Sequence, residues 1–312
     1  MAVQAAHSFI NMTLFTRSRM RPTILFLAVA TVLVFSFLAN AADTNAIADA
    51  EDALAKLEGA AGGRLGVYAV DTGSGAQIQL RANERFPFCS TFKFILVSAI
   101  LDRSACDAGL LEHHVFYTQK DLAHYSPITE KHLTNGMTVA GLCAAAIQYS
   151  DNTAANQLIK ILGGPAAVTE FARTTGNSEF RLDRWETELN SAIPGDPRDT
   201  ATPASMARSM EGFALGKSLQ PPQQKQLVEW LLGNTTGAKR IRAGVPSGWK
   251  VGDKTGSGDY GTANDVGVVW PPGRKPLVIA IYHTQTNADA KWNDEVIASA
   301  ARIVTRAFGA PR

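Results

Sequence analysis

Ser90-Thr91-Phe92-Lys93-Phe94-Ile95-Leu96-Val97-Ser98-Ala99-Ile100 is where the chain changes its hydrophobic period. Phe92, Ile95, Leu96, Ala99 and Ile100 stand at i, i+3, i+4, i+7 and i+8, the spacing of a buried helix face. Upstream, Leu65 to Val70 and Ala76 to Leu80 read as short strands across the turn Thr72-Gly73-Ser74-Gly75. Before them Ala46 to Leu57 reads as a helix, with Ile47, Ala50, Leu54 and Leu57 on one side. Downstream the pattern stays helical to about Leu232, as in Val139–Tyr149 and Thr153–Leu162, the latter stopped by Gly163-Gly164-Pro165. A Pro/Gly/Asp-rich stretch from about Phe180 to Thr202 interrupts it. Strand character returns in Trp249–Thr255, Thr262–Trp270 and Leu277–His283, joined by Gly-rich and Pro-Pro-Gly turns. A closing helix from Ala288 to Phe308 would turn Trp292, Val296, Ile297, Ala300, Ile303 and Val304 one way, with Gly309 and Pro311 as its stop. The sequence thus predicts an α+β fold. One antiparallel sheet is built from both chain ends and flanked by terminal helices, and an all-helical domain is inserted in the middle. The expected boundaries are 42–85 with 233–312 for the α/β domain, and 86–232 for the helical domain, which includes the 180–202 loop.

Composition narrows the function. The 312 residues are 46% hydrophobic and 19% charged, ordinary globular values that exclude a disordered, collagen-like or coiled-coil chain. Thirty Lys and Arg face 28 Asp and Glu, and no basic run or basic-aromatic stripe points to nucleic acid. Arg17, Arg19 and Arg21 precede an apolar run from Ile24 to Leu38 and then Ala39-Asn40-Ala41. That order predicts a secretory signal peptide over 1–41, since the run is shorter than the roughly 20 residues of a membrane span. Met12 and Met20 are alternative starts, and an uncleaved anchor is the competing reading. Removal of three Arg and no acid takes the net charge from +2 to −1 and leaves 271 residues. The expected product is periplasmic or secreted, monomeric and without stable membrane association. Cys89, Cys106 and Cys143 are an odd count, and neither a C-x-x-C nor an H-E-x-x-H is present. His113-His114 has no metal-ligand spacing, so neither a metal nor a cofactor is implied.

Three short motifs carry the chemistry. Ser90-x-x-Lys93 at a helix start puts an amine on the same face as a hydroxyl, beside the backbone N–H groups of a helix N-terminus. Alone it says little, and Ser247-Gly248-Trp249-Lys250 is a second copy without a following helix. Ser150-Asp151-Asn152 lies between two helical patterns and by itself reads as an N-cap. Lys254-Thr255-Gly256-Ser257 by itself reads as an edge strand ending in a turn. The three in this order, on helix, loop and strand, are the set found in class A β-lactamases and penicillin-binding proteins.

From Arg64 to Ala298 the chain resembles the class A serine β-lactamases. The resemblance includes a fourth motif inside the interrupting loop, Arg181-Leu182-Asp183-Arg184-Trp185-Glu186-Thr187-Glu188-Leu189-Asn190, which separates them from transpeptidases. The resemblance implies hydrolysis of the β-lactam ring of penicillins and cephalosporins through a serine acyl-enzyme, with antibiotic resistance as the result. Ser90 would be the nucleophile and Lys93 a proton acceptor, and either Lys93 or Glu186 could activate Ser90. Glu186 and Asn190 would hold the deacylating water, and Ser150 would relay a proton to the lactam nitrogen. Asn152 would bind the side-chain amide, and Lys254, Thr255 and Ser257 the carboxylate. The backbone N–H groups of Ser90 and Ser257 would form the oxyanion hole, and Tyr125 an aromatic wall. Arg184 would pair with Asp199 across the loop neck.

The departures matter as much. Some relatives place an Arg where Ala263 stands, and the substitute by spacing is Arg240, which otherwise reads as a solvated helix-end cation. Thr187 replaces a proline commonly preceded by a cis bond, and a cis Glu186–Thr187 bond is expected. Where relatives carry cysteine pairs, the resemblance makes Gly258 the partner position of Cys89 and Val97 that of Cys143. No disulfide is therefore expected, nor efficient carbapenem turnover. A peptidoglycan DD-peptidase and a penicillin-sensing module that does not turn over are the competing readings.

Overall fold

The computed structural model describes residues 45–310, so the expected signal peptide at 1–41 lies outside the described residues. A helix over residues 45–61 (α1) precedes the hairpin of β1 (Arg64–Asp71) and β2 (Gln77–Leu80). After β3 (Phe86–Pro87), a 3-10 turn at Cys89–Phe92 runs into α2 (Lys93–Ser104). The chain then passes through β4 (His114–Val115), β5 (Met137–Thr138), α3 (Val139–Gln148), α4 (Asn152–Leu162) and α5 (Pro165–Thr174). It continues with β6 (Thr200–Ala201), α6 (Pro203–Ala214), α7 (Pro221–Leu232) and the one-turn α8 (Ile241–Gly244). Three long strands follow, β7 (Lys250–Gly258), β8 (Thr262–Trp270) and β9 (Leu277–Thr284), before the last helix, α9 (Asp294–Ala307). No helix among the described residues is long and apolar enough to cross a membrane.

The sheet has the order β2-β1-β9-β8-β7, and every pairing is antiparallel. Arg64 lies opposite Thr284 and Asp71 opposite Leu277, so the two chain ends meet at the centre of the sheet, as expected. Period-two alternation divides the core. Leu65, Val67, Ala69, Leu277, Ile279 and Ile281 face α1 and α9, against Ala50, Leu54, Val296, Ile297 and Val304. Tyr68, Val70, Val278, Ala280 and Tyr282 face the helical insertion, with Phe92, Ile95, Met206 and Met210. A strand covered on both faces needs apolar residues at successive positions, which is why Leu277–Tyr282 reads as an unbroken apolar run.

Two features depart from their readings. The insertion is not all-helical, since β3 pairs with β6 and β4 with β5 as short antiparallel bridges between its helices. The closing helix begins at Asp294 and not at Ala288, and Trp292 lies outside it with 56% of its surface exposed. Asn293 Oδ1 accepts from Glu295 N at 3.0 Å, and Asp294 and Glu295 put carboxylates in the first turn. A cap and two favourable charges set the start there, whatever the apolar period suggests further upstream.

Candidate active site

The 3-10 turn, α4, the 180–202 loop and β7 converge on a cleft of about 920 Å³. Its walls include Ser90, Tyr125, Ser150, Asn152, Asn190, Arg240, Thr255 and Ser257. Lys93, Glu186 and Lys254 stand just beneath, buried. The second Ser-x-x-Lys copy, Ser247 to Lys250, is at the surface and lines no part of the cleft.

Ser90 sits on the turn that feeds α2, entered through Cys89 at a left-handed φ of +46°. Such a φ is strained for a non-glycine residue and typical of functional turns. Gly256 explains how close β7 comes. A Cβ there would lie 2.7 Å from Phe88 O and 3.1 Å from Ser90 N, so only glycine lets the strand backbone reach the turn. The strand does lie at the sheet edge, as the plain reading of Lys254-Thr255-Gly256 has it, and that edge borders the cleft.

Glu186 is the hub. Its Oε1 accepts from Ser90 Oγ at 3.1 Å and pairs with Lys93 Nζ at 3.0 Å, and its Oε2 accepts from Asn190 Nδ2 at 2.6 Å. Asn190 Oδ1 is buried without a hydrogen-bond partner. The Glu186–Thr187 bond is cis, as expected. Asn156, one turn beyond Asn152 on α4, accepts from Glu186 N and donates to Glu186 O, both at 2.9 Å. No motif announces Asn156; its i+4 spacing from Asn152, which puts both on one helix face, is the available signal.

The loop is tied at its neck. Arg184 Nε pairs with Asp199 Oδ2 at 2.5 Å, and Asp199 Oδ1 accepts from the Asp183 and Arg184 amides at 2.7 and 3.0 Å. The Asp199 side chain is only 1% exposed, so this pair is no solvated contact. Phe88 N donates to Asp199 O at 3.2 Å, which joins the loop neck to the strand before the Ser90 turn.

Both lysines are stripped of water. Lys93 Nζ donates to Ser150 O at 2.8 Å and to Asn152 Oδ1 at 2.6 Å. Burial lowers its pKa, partly offset by the Glu186 carboxylate. Lys254 Nζ donates to Ser150 Oγ at 3.0 Å, and its pKa is pushed down by burial and then by the Lys93 charge. Ser150, at φ +59°, therefore stands between the two lysine amines. Asp151 beside it is the helix cap after all, accepting from Ala154 N at 2.9 Å, while its neighbours serve the cleft. Asn152 Nδ2 donates to His124 O at 2.7 Å, which leaves its second amide hydrogen.

Arg240 is 5% exposed, not a solvated cation. It donates to Gly256 O at 2.6 Å, Asn264 O at 2.7 Å and Ser257 Oγ at 2.6 Å, and pairs with Asp294 at 2.7 Å. Thr255 Oγ1 meets Thr236 Oγ1 at 2.5 Å. Asp294 and Thr236 had no motif to announce them. Tyr125 is 54% exposed at the rim, and its carbonyl accepts from Asn152 N at 3.1 Å. Cys89, Cys106 and Cys143 are free thiols, and a Cβ on Gly258 would lie 2.7 Å from Cys89 Sγ. The two positions do face each other, with glycine on one side.

The arrangement places a hydroxyl against a proton acceptor and a second proton path through Ser150, the requirements of acyl transfer. Comparison with known proteins agrees. The family model described as the beta-lactamase enzyme family matches residues 49–308. The carbapenem-hydrolyzing beta-lactamase KPC of Klebsiella oxytoca is 56% identical over 267 residues, covering 85% of this chain and 90% of that one. Beta-lactamase CTX-M-8 of Citrobacter amalonaticus is 53% identical over 260 residues, 83% of this chain and 89% of its own. A crystallised beta-lactamase from Desulfarculus baarsii superposes with a TM-score of 0.84 at 54% identity, covering 85% of this chain and 99% of the other. The chain belongs to the beta-lactamase family, and within it to the class A serine β-lactamases.

Proposed function

We propose that this enzyme opens the β-lactam ring of penicillins and cephalosporins through an acyl-enzyme on Ser90 and so confers resistance. The supporting observation is the Glu186 carboxylate, shared between Ser90 and Lys93 on one oxygen and held by Asn190 on the other. In acylation Ser90 Oγ bonds to the lactam carbonyl carbon, and its proton passes to Lys93 or Glu186. The carbonyl oxygen becomes an oxyanion facing the Ser90 and Ser257 amides, where each donor is worth about 10²–10³ in rate. Collapse breaks the C–N bond, and Ser150 relays to the departing nitrogen the proton that came from Ser90, giving its own and taking that one in its place. Water then attacks the ester, Glu186 takes its proton, and Ser90 Oγ leaves and regains a hydrogen. Asn190 Oδ1, an acceptor without a protein partner beside Glu186, suits the placing of that water.

Lys254, Thr255, Ser257 and Arg240 receive the substrate carboxylate, Asn152 the side-chain amide, and Tyr125 flanks the ring. Arg184 and Asp199 hold the loop. The α/β portion (42–85 with 233–312) and the helical portion (86–232) act as two domains with the cleft at their seam. The protein is exported after loss of residues 1–41 and works as a monomer in the periplasm or medium, without membrane or nucleic-acid partners. Efficient carbapenem turnover is not part of this reading, because Cys89 faces Gly258 and no second cysteine.

The test mixes the mature chain with excess chromogenic cephalosporin. Sustained turnover is expected, and a burst that stops at one equivalent would favour the DD-peptidase or the sensor. Two variants probe the carboxylate end. Arg240→Ala should lower kcat/KM about tenfold to a hundredfold, mainly through KM, since a buried charge-assisted contact is worth roughly 1.5–3 kcal/mol. Arg240→Lys should recover little, having no planar fork to span Ser257 and Gly256. Gly256→Ala must push β7 off the Ser90 turn, and a shift near 1 Å at a catalytic site costs about 10² in rate. Steady-state kinetics with a circular-dichroism melt should show that loss exceeding the loss of stability.

A further inference from the structure

Asn264 stands directly opposite Gly256 in the ladder between β7 and β8, and its side chain is buried. It carries no charge, lines no part of the cleft and belongs to none of the motifs. Its amide nevertheless reaches the chain just ahead of the nucleophile. Nδ2 donates to Pro87 O at 2.8 Å and to Phe88 O at 3.1 Å. A carboxamide nitrogen has two hydrogens, so each carbonyl takes one. Oδ1 of the same group is buried without a hydrogen-bond partner among the described residues. That unpaired acceptor opposes folding, and what the position gains in return is the pair of donors.

The two carbonyls immediately precede Cys89, whose left-handed φ of +46° turns the backbone to present Ser90. A strained turn of this kind persists only where its surroundings fix it on several sides. Phe88 O accepts from Asn264 Nδ2, from Thr91 N at 3.2 Å and from Thr91 Oγ1 at 2.8 Å. Tyr282, the partner of Asn264 on β9, puts its hydroxyl 3.2 Å from Thr91 Oγ1. The sheet thus holds the turn through Asn264 and Tyr282. Asn264 touches the carboxylate end of the site as well, but only by backbone, its carbonyl accepting from Arg240 Nη1 at 2.7 Å. A change of side chain leaves that contact in place.

We propose that Asn264 is a positioning residue that holds the Ser90 amide and hydroxyl in line for acyl transfer, acting through the Pro87 and Phe88 carbonyls. This rests on the β-lactam reading above, in which the Ser90 and Ser257 amides face the oxyanion. Without the two donors Cys89 relaxes toward ordinary backbone angles and the Ser90 amide moves, while Arg240 and Lys254 keep their places.

The test uses Asn264→Ala and Asn264→Leu, with the folded fraction of each measured by circular dichroism. Leucine fills the space of asparagine but donates nothing. Both variants should lower kcat/KM for the chromogenic cephalosporin about tenfold to a hundredfold. A shift near 1 Å costs about 10² in rate, and a whole oxyanion donor is worth about 10²–10³. A boronic acid that bonds reversibly to Ser90 Oγ and puts an oxygen in the oxyanion hole should lose affinity by a similar factor. Asn264→Leu should melt above Asn264→Ala, which leaves the smaller side chain's cavity, yet be no more active. Activity that tracks the melting temperature, with boronate affinity of the folded protein unchanged, would assign Asn264 to packing and overturn the proposal. Combined with Arg240→Ala, either change should multiply the loss. A double variant no worse than Arg240→Ala would route the effect through the carboxylate end and overturn it too. An unsubstituted enzyme that turns over no β-lactam would overturn the β-lactam reading itself.

Discussion

Ser90→Ala should reduce kcat for β-lactam ring opening on the order of 10⁵–10⁶-fold, the scale seen when a serine hydrolase loses its nucleophile. The argument is geometric. Ser90 stands on a turn at the mouth of α2, its hydroxyl donating to Glu186 at 3.1 Å and its amide beside the β7 backbone. Alanine removes the hydroxyl alone. The turn, the Gly256 approach and the Lys93 contacts with Ser150 and Asn152 do not use it. The variant should therefore melt within a few degrees of the parent, and intact-protein mass spectrometry should find no drug adduct. Residual turnover within tenfold of the parent would place the nucleophile elsewhere.

The second large effect belongs to Glu186→Gln. Glutamine keeps the shape and an oxygen for Asn190 but cannot take a proton from water. Deacylation should slow by about 10²–10⁴, the usual worth of a general base, and a chromogenic cephalosporin should give a one-equivalent burst followed by near silence. Mass spectrometry should then show a stable adduct of whole-drug mass that Ser90→Ala abolishes. The burst rate carries further information. A burst as fast as the parent's assigns acylation to Lys93, whose pKa burial lowers. A burst slowed by a similar factor assigns that step to Glu186. Unimpaired steady-state turnover would make Glu186 a loop acid and return the deacylating role to some other group.

Much of this is legible in the sequence alone. The switch from period two to the Phe92-Ile95-Leu96 spacing located the helical insertion, and Thr262–Trp270 was bounded correctly as a strand. A continuous apolar run is the signal of a strand covered on both faces, and the turns between β7, β8 and β9 carry glycine and proline. The three motifs named their residues because each is contiguous. What stayed hidden is what the fold assembles from distant single residues. Asn156 grips the Glu186 backbone, Thr236 meets Thr255, and Asp294 holds Arg240 across 54 positions of chain. Asp253 and Asp265 lie buried behind Lys254, both pKa values raised by burial, and no spacing could have announced that. Trp292 was misplaced for a different reason. Its apolar character fits the helix period, but the Asn293 cap starts the helix after it.

The pairing of β1 with β9 also has a bearing on how the chain reaches its native state. Arg64 and Thr284 are partners 220 residues apart, so the loop-closure entropy of almost the entire polypeptide must be met before the central ladder gains anything. While a ribosome is still making residues 277–284, β1 and β2 are an isolated hairpin, too small to be stable in water. The emerging chain consequently stays open until its last strand exists. That leaves it vulnerable to proteases and aggregation until β9 arrives.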